Sequence, residues 1–187
     1  WPTNAVLVVH QLCRFASNLQ IEPVSFVVRR GQCFGILGFQ GSGKSELIRI
    51  LTGTSVFDDG NFYLNKFDDM PVRYRKQFDG ISCAPQFNCY HELLTVEEML
   101  MLFAKIRCVD EKHIWTEVQR VGRIFKLESH FKTFGNSLDR FTQRAVTLAM
   151  AFIGGPSLVI IDEPNHQVCY TKSRILTRLT NQSLSIP

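Results

Sequence analysis

The segment GFQGSGKS, at residues 38–45, has the residue types and spacing of a phosphate-binding loop. It fits the pattern G-x-x-x-x-G-K-[ST] at every fixed position. Its glycines allow the backbone to curl so that successive N–H groups point at phosphate oxygens, and a following helix adds the positive end of its dipole. Lys44 is predicted to reach the β- and γ-phosphates of a nucleotide, and the Ser45 hydroxyl to bind Mg²⁺. The alternative is a glycine-rich turn that contains Lys and Ser by chance.

A pair of acidic residues, Asp162 and Glu163, closes the apolar run LVII. Ligands of open α/β sheets bind at the carboxyl ends of the strands, so a pair in this place is suited to chemistry. Asp162 is predicted to hold Mg²⁺ through a water molecule. Glu163 is predicted to polarise an attacking water, as a general base or by positioning it. The alternative is a helix-capping Asp followed by a surface Glu, and the phosphate loop in the same chain favours the chemical interpretation.

Short apolar runs must position the phosphate loop. Strands are predicted over 5–9, 24–28 and 33–37, and the last of them leads directly into the loop. The helix predicted after the loop ends at Gly53, as helices often do at glycine. Residues 57–64 are then predicted to form a turn and a strand, with Asp59-Gly60 as the hairpin signal.

The second half of the chain positions the acidic pair. A capping box of Thr95 and Glu98 opens one of its helices. The continuously apolar run at 157–164 is typical of a strand covered on both faces. Strands alternating with helices predict an α/β fold with a mainly parallel sheet. The predicted elements are a buried strand at 80–85, helices at 95–106, 110–127 and about 140–152, the strand at 157–164 and a last helix at 170–179.

Composition limits the classes of protein. The 187 residues, 45% hydrophobic and 20% charged, suit one globular domain. The net charge of +4 is scattered, with the densest cluster at 72–76, so a solvated face is favoured over a nucleic-acid site. Six cysteines without a CxxC pair indicate reduced thiols in a cytosolic setting rather than zinc or disulfides. No run reaches the roughly 18 to 20 apolar residues of a membrane span. A first residue that is not Met suggests a piece of a longer chain.

The order of these motifs resembles the nucleotide-binding domain of ABC transporters. A phosphate loop, then Ala84-Pro85-Gln86 after a strand, then a helical insert and LVIIDEP follow one another as in that family. The resemblance extends from about residue 5 to 178 and is strongest to subfamily A, whose members are mostly lipid exporters. The stretches that carry it are GQCFGILG (31–38), ILTG (50–53), FYLN (62–65), PQFN (85–88), ELLTVEE (92–98) and AMAFIGGP (149–156).

The resemblance implies a P-loop NTPase core of the RecA-like type, with N-terminal antiparallel strands and an inserted helical subdomain. Residues 1–187 would be a single domain, incomplete at its C-terminus, with the helical subdomain at 87–145. The implied cofactors are ATP and Mg²⁺. The implied partners are a second nucleotide-binding domain in a head-to-tail dimer and the transmembrane domains of the same or a partner chain. The domain would then lie at the cytoplasmic face of a membrane, within an integral membrane transporter, and no nucleic acid is expected.

Site residues follow from the same resemblance. Gln86 takes the place of the Q-loop residue, which touches Mg²⁺ and the attacking water, although a simple turn amide is the alternative. Glu163 and Gln86 are therefore the catalytic candidates, and Ser45, Gln86 and Asp162 the candidates for binding Mg²⁺. The candidates for nucleotide binding are Gly38, Gly41, Ser42, Gly43, Lys44, Ser45 and Glu46.

The signature segment departs from the family pattern. In the family it reads Leu-Ser-Gly-Gly and contacts the γ-phosphate of the dimer partner. Asp139 would instead put a carboxylate against that phosphate, and like charges about 4 Å apart cost roughly 4 kcal/mol at intermediate dielectric. Phe141 would block the close approach that glycine permits, while Arg140 would compensate in part as a phosphate fork. The aligned residues are Leu138, Asp139, Arg140 and Phe141, after which Gln143 and Arg144 resume the family pattern.

Further departures concern other parts of the site. Cys13 lies where an aromatic residue should stack on adenine, and Phe15 is the candidate substitute. The segment NHQVCY places Cys169 where the D-loop should carry Asp. The sequence stops at Pro187 before the family's switch histidine, and His166 is too close to Glu163 to take its role.

Three hypotheses about function remain open at the level of sequence. The first is an ABC-type ATP hydrolase domain that powers transport of lipid or another hydrophobic substrate, with weak or asymmetric hydrolysis. The second is a degenerate module that binds ATP with little or no turnover and acts as a dimerisation or scaffold partner. The third is an unrelated P-loop protein, such as a small kinase or a soluble ABC protein.

Overall fold

The computed structural model describes residues 4–16, 19–64 and 80–163. Within this part, the chain forms two compact units, the first ending at Ile81 and the second beginning at Ser82. The assignment of a single domain, with a helical subdomain at 87–145, stays a prediction.

The first unit is an antiparallel sheet with one helix. Its strands are β1 (Ala5–Ala16), β2 (Leu19–Arg29) and β3 (Asp59–Leu64). Their spatial order is β2-β1-β3, so the first strand of the chain is the central one. Buried apolar side chains of β1, β3 and the helix, such as Val9, Phe62 and Ile50, form its core. The antiparallel strands predicted at the N-terminus are confirmed, and so is the helix end, since Gly53 follows the last turn with a φ of 75°. The helix is α1 (Lys44–Leu51).

The strand predicted at 33–37 is wrong. These residues adopt no regular structure, and their side chains are exposed, with Leu37 96% accessible. A strand needs a neighbour that satisfies its backbone N–H and C=O groups. Within the described ranges, no strand pairs with this segment. The segment therefore has the apolar pattern of a strand, but none of the described strands provides the pairing that makes one.

The hairpin signal at Asp59-Gly60 is also wrong. These residues begin β3, which pairs with β1 and not with a strand adjacent in sequence. Gly60 has a φ of 87°, and a Cβ there would lie 2.2 Å from the carbonyl oxygen of Gln11. The β1–β3 register shifts between His10 and Cys13, a bulge at which the two backbones come close. The glycine is thus required by close backbone packing rather than by a two-residue turn.

Helices pack together in the second unit. Val96, Leu100, Val118 and Val146 are fully buried among them. The three helices predicted within the described residues are confirmed, and the one at 140–152 has the predicted bounds. The elements are β4 (Ile81–Ala84), α2 (Val96–Ile106), α3 (Glu111–Ile124), the short 3-10 helices Glu128–His130 and Gly135–Ser137, α4 (Arg140–Phe152) and β5 (Leu158–Ile161).

Local caps hold the starts of these helices. The predicted capping box is present: Thr95 Oγ1 accepts from the Glu98 backbone N–H, and Glu98 accepts from the Thr95 backbone N–H at 2.8 Å. The hydrogen bonds that the Thr95 backbone N–H and hydroxyl donate to the Glu98 carboxylate lower the pKa of Glu98. Asp110 caps α3 by accepting from the Lys112 backbone N–H. None of the described helices is both long and apolar enough to cross a membrane.

Strands β4 and β5 form a two-stranded sheet, extended by a hydrogen bond from the Asp162 N–H to the Ala84 carbonyl at 2.9 Å. Both predicted strands are therefore confirmed. The prediction that β5 is covered on both faces is wrong, because all four of its residues are partly exposed. Among the described strands, β4 is its one neighbour, which leaves one edge of β5 without a covering strand.

Candidate functional site

The phosphate loop curls immediately before helix α1. Ser42 N–H donates to the Phe39 carbonyl at 3.2 Å, and Gly41 and Gly43 have φ values of 81° and 86°. A Cβ at Gly43 would also lie 2.9 Å from a side-chain carbon of Ile21 on β2, so glycine is required there by both conformation and space. The backbone turn and the start of α1 place N–H groups as a phosphate-binding site requires.

Lys44 folds back onto this loop. Its Nζ atom donates to the carbonyls of Gly38 and Phe39, each at 2.7 Å. These hydrogen bonds are exposed to solvent, and the ammonium therefore lies at an open side of the loop. A phosphate oxyanion accepts from ammonium more strongly than a neutral carbonyl does. The loop thus holds its cation where an incoming phosphate can take over as acceptor.

Ser45, the predicted metal residue of the loop, is exposed in the first turn of α1. Its hydroxyl is an oxygen ligand of the kind that Mg²⁺ accepts. Among the residues that the structure describes, no three His, Cys, Asp or Glu side chains cluster as a metal site. A hydroxyl and an open loop suit Mg²⁺, which keeps several waters and takes its remaining ligands from substrate phosphates.

Glu46 has a side chain that is engaged within the protein. It is buried, and its carboxylate accepts from Arg14, from the Ser55 hydroxyl and from Arg49. The Ser55 hydrogen bond and the charges of Arg14 and Arg49 lower the pKa of Glu46, against the opposing effect of burial. Sequence reasoning missed Arg14, because its partner lies 32 residues away and no local pattern joins them.

Cys13, which lies where an adenine-stacking aromatic residue was expected, and Phe15, the candidate substitute, differ in exposure. Cys13 is 3% exposed within the sheet, so its side chain does not face solvent. Phe15, near the end of β1, is 59% exposed, and its backbone N–H donates to Asp58 Oδ2 at 2.6 Å. Phe15 therefore has the exposure that a base-stacking residue needs, and its role stays a prediction.

The second unit brings three other predicted residues together. Asp162 and Glu163 follow β5, and Gln86 follows β4. The Gln86 side-chain nitrogen donates to Glu163 Oε2 at 2.9 Å. Glu163 has a φ of 44°, a conformation that non-glycine residues adopt at an energetic cost and that often marks functional sites. The amide therefore orients the carboxylate predicted to act on water.

Arg144 of α4 anchors the backbone on both sides of that contact. Its Nη1 atom donates to the carbonyls of Pro85 and Gln86, and Nη2 to those of Asp162 at 2.9 Å and Glu163 at 3.2 Å. The residue is 2% exposed, and burial lowers the pKa of its guanidinium. A guanidinium is not deprotonated in proteins, so Arg144 remains cationic at neutral pH. Sequence reasoning noted Arg144 as part of a pattern and missed this role.

The signature segment begins helix α4. Asp139 is the N-cap, and its Oδ1 accepts from the Thr142 backbone N–H at 2.8 Å. Gln143 donates to the Leu138 carbonyl at 3.0 Å. Asp139 and Arg140 are exposed, Phe141 is half-buried and Leu138 is buried. The Asp139 carboxylate therefore has a structural function, as the cap of α4.

We expect Asp139→Ala to lower the free energy of unfolding by about 1 kcal/mol, because the first turn of α4 loses its cap. Asp139→Ser is expected to change it by less than about 0.5 kcal/mol, since serine caps helices as well as aspartate. Urea unfolding at constant m-value measures both. Equal losses in the two variants would contradict the assignment of a cap.

Several predictions fall outside the described residues. They are the basic cluster at 72–76, His166, Cys169 with the rest of NHQVCY, and the helix at 170–179.

Comparison with known proteins adds an independent observation. A family model described as "ABC transporter" matches residues 21–166. Human phospholipid-transporting ATPase ABCA3 is 31% identical over 79% of this chain and 9% of its own length. Mouse glucosylceramide transporter ABCA12 is 26% identical over 89% of this chain and 6% of its own length. The Nod factor export ATP-binding protein I of Rhizobium sp. (strain N33) is 32% identical over 80% of this chain and 49% of its own.

The chain thus spans about a tenth or less of the length of the ABCA relatives. Solved structures resemble it over nearly its whole length. The cbiO1 protein from Clostridium perfringens, part of the ABC transporter complex cbiONQ, has a TM-score of 0.82 at 20% identity, over 94% of this chain and 72% of its own. An ATP-binding subunit of an ABC transporter has a TM-score of 0.78 at 28% identity, over 95% and 74%. The predicted α/β P-loop NTPase fold is confirmed by these structures.

Proposed function

The chain belongs to the ABC transporter family, as a nucleotide-binding domain of the subfamily A type, and from this premise we propose that it binds Mg-ATP to drive transport. The observation that carries the proposal is the curled loop at 38–45 with its lysine. The Lys44 Nζ atom there donates to two backbone carbonyls at 2.7 Å. Membership of this family excludes one part of the third hypothesis, an unrelated small kinase.

ATP binding would exchange the hydrogen-bond acceptors of Lys44 at the loop. The backbone N–H groups around Gly41 and Gly43, together with the start of α1, attract the phosphates. Lys44 then exchanges its carbonyl acceptors for β- and γ-phosphate oxygens, which bear more charge. Bound Mg²⁺ would neutralise charge on these phosphates, with Ser45, Gln86 and Asp162 as its protein ligands. Phe15 would stack on the base.

Hydrolysis would use the residues of the second unit. Glu163 accepts a proton from water, or orients the water for attack on the γ-phosphate. Gln86 supports this role, because its side-chain nitrogen donates to one carboxylate oxygen at 2.9 Å. Its own oxygen is the atom with the chemistry to face a cation or the attacking water. Arg144 holds the backbone that carries both side chains.

A degenerate module that binds ATP with little turnover is the second candidate, favoured by Asp139 and Phe141 in the signature segment. In a head-to-tail dimer, Asp139 would oppose the partner's γ-phosphate, and Phe141 would hinder close approach. Such a dimer would have weak or asymmetric hydrolysis. A dimer that hydrolyses ATP at both sites with equal rates, and slows no further on Arg140→Ala, would contradict an impaired signature.

The transported substrate and the partners are inferred from the relatives. Because relatives are named as phospholipid and glucosylceramide transporters, we infer a lipid as the transported substrate. The partners would be a second nucleotide-binding domain and transmembrane domains of the same or another chain. This arrangement puts the domain at the cytoplasmic face of a membrane.

A fluorescent ATP analogue with Mg²⁺ tests the proposal. We expect Lys44→Ala to weaken its binding by about 10- to 100-fold, because a charged hydrogen-bond donor is worth roughly 1.5 to 3 kcal/mol. Lys112→Ala, which removes an exposed lysine of α3, is the matched control and should leave affinity unchanged. Equal affinities of the wild-type chain and Lys44→Ala would contradict the assignment of the loop as the phosphate-binding site.

A further inference from the structure

An ion pair in the first unit joins strand β1 to the helix that follows the phosphate loop. Arg14 Nη1 donates to Glu46 Oε1, and Ser55 donates to the same oxygen. The exposed fractions of the side chains are 23% for Arg14 and 9% for Glu46. Because water reaches the carboxylate poorly, its charge depends on these partners.

The strand ladder places this pair next to the loop. Arg14 lies opposite Ile21 in the pairing of β1 with β2. The Ile21 side chain is the group that a Cβ at Gly43 would meet at 2.9 Å. One rung of the sheet therefore contacts both the end of the phosphate loop, at Gly43, and the first turn of α1, at Glu46.

A carboxylate in this place opposes the ligand of the loop. Glu46 follows Lys44 by two residues, a rise of about 3 Å along the helix axis. A nucleoside triphosphate brings several negative charges to the loop. A buried carboxylate that lacks its cation would repel them, with less screening by salt than an exposed charge has.

We propose that Arg14 is a positioning residue for nucleotide binding, which neutralises Glu46 and holds its carboxylate away from the phosphates. The inference rests on the proposed function, since it concerns the affinity of the same loop for ATP. It makes the loop's affinity depend on a residue of β1, outside the loop itself.

Titration of the full chain with fluorescent ATP and ADP analogues and Mg²⁺ tests this inference. Arg14→Gln is expected to weaken binding of the ATP analogue about tenfold, equal to about 1.4 kcal/mol. Arg14→Gln combined with Glu46→Gln is expected to restore affinity to within about threefold of wild type, because the repelling charge is gone. The loss in Arg14→Gln should be smaller for the ADP analogue, which carries less charge, whereas a loosened structure would weaken both equally.

Arg49→Gln is the matched control. Arg49 contacts the same carboxylate at 3.4 Å, but its side chain is 66% exposed. Solvent-exposed pairs contribute little, so affinity should stay within about twofold of wild type.

The outcomes separate the two proposals. If the wild-type chain does not bind the ATP analogue, the proposed function fails. If it binds and Arg14→Gln matches it, or the double variant remains as weak as Arg14→Gln, the inference about Arg14 alone is overturned. Circular dichroism reports whether Arg14→Gln folds. Should it not fold, Glu46→Gln decides: tighter binding of the ATP analogue is expected, and weaker binding overturns the inference.

Discussion

Glu163→Gln is expected to lower steady-state release of phosphate from ATP by a factor of about 10² to 10⁴, the usual contribution of a positioned general base. The substitution preserves size and leaves an oxygen that can accept from Gln86, which now donates at 2.9 Å. It removes the negative charge and most of the basicity of the side chain. Affinity for the fluorescent ATP analogue should persist, because the loop at 38–45 is unchanged.

The control for this prediction is Glu128→Gln, which neutralises an exposed glutamate of the same unit. It should turn over ATP at the wild-type rate. Turnover that survives in Glu163→Gln would show that another group activates water. Nucleotide binding by the wild-type chain without measurable turnover would select the degenerate, binding-only module.

Arg144→Met is expected to lower the free energy of unfolding by about 3 to 5 kcal/mol, because several carbonyls lose a charged donor and each such loss costs roughly 1 to 3 kcal/mol. The wild-type guanidinium donates to four backbone carbonyls on two separate segments. Methionine fills similar space but donates to none of them, so buried acceptors lose their partners. Arg144→Lys should have a free energy of unfolding between those of the wild type and Arg144→Met, because an ammonium lacks the planar fork that reaches both segments.

Urea unfolding followed by circular dichroism measures this loss. Arg123→Met serves as the control, since the Arg123 side chain is 76% exposed and its ion pair with Glu128 spans 3.7 Å. It should change stability by no more than about 0.5 kcal/mol. A comparably small loss in Arg144→Met would mean that water or a neighbouring group replaces the guanidinium.

The predictions that succeeded concern features with a local cause. Helix α4 has the predicted bounds, 140–152, and the capping box of Thr95 and Glu98 is present. Both depend on side chains within one or two turns of each other. The curled loop before α1 is equally local, because its glycines and the Lys44 contacts lie within a few residues.

The predictions that failed needed a partner far along the chain. Residues 33–37 have the composition of a strand, yet a strand exists only where another strand pairs with it. Asp59-Gly60 has the composition of a hairpin turn, but Gly60 is required by the bulge of β1 at Gln11. Neither error is visible in a window of ten residues.

The amino-acid sequence by itself determined the curled loop segment and the described helices, since spacing and periodicity encode both, and the order of its motifs carried the resemblance to the family. Tertiary structure alone decided which polar and charged groups far apart in the chain meet. Arg144 reaches carbonyls 58 and 59 residues away, and Arg14 reaches a carboxylate 32 residues away. Such contacts arise because burial makes each polar group find a partner, and the partner is whichever group the folded backbone brings within hydrogen-bond distance.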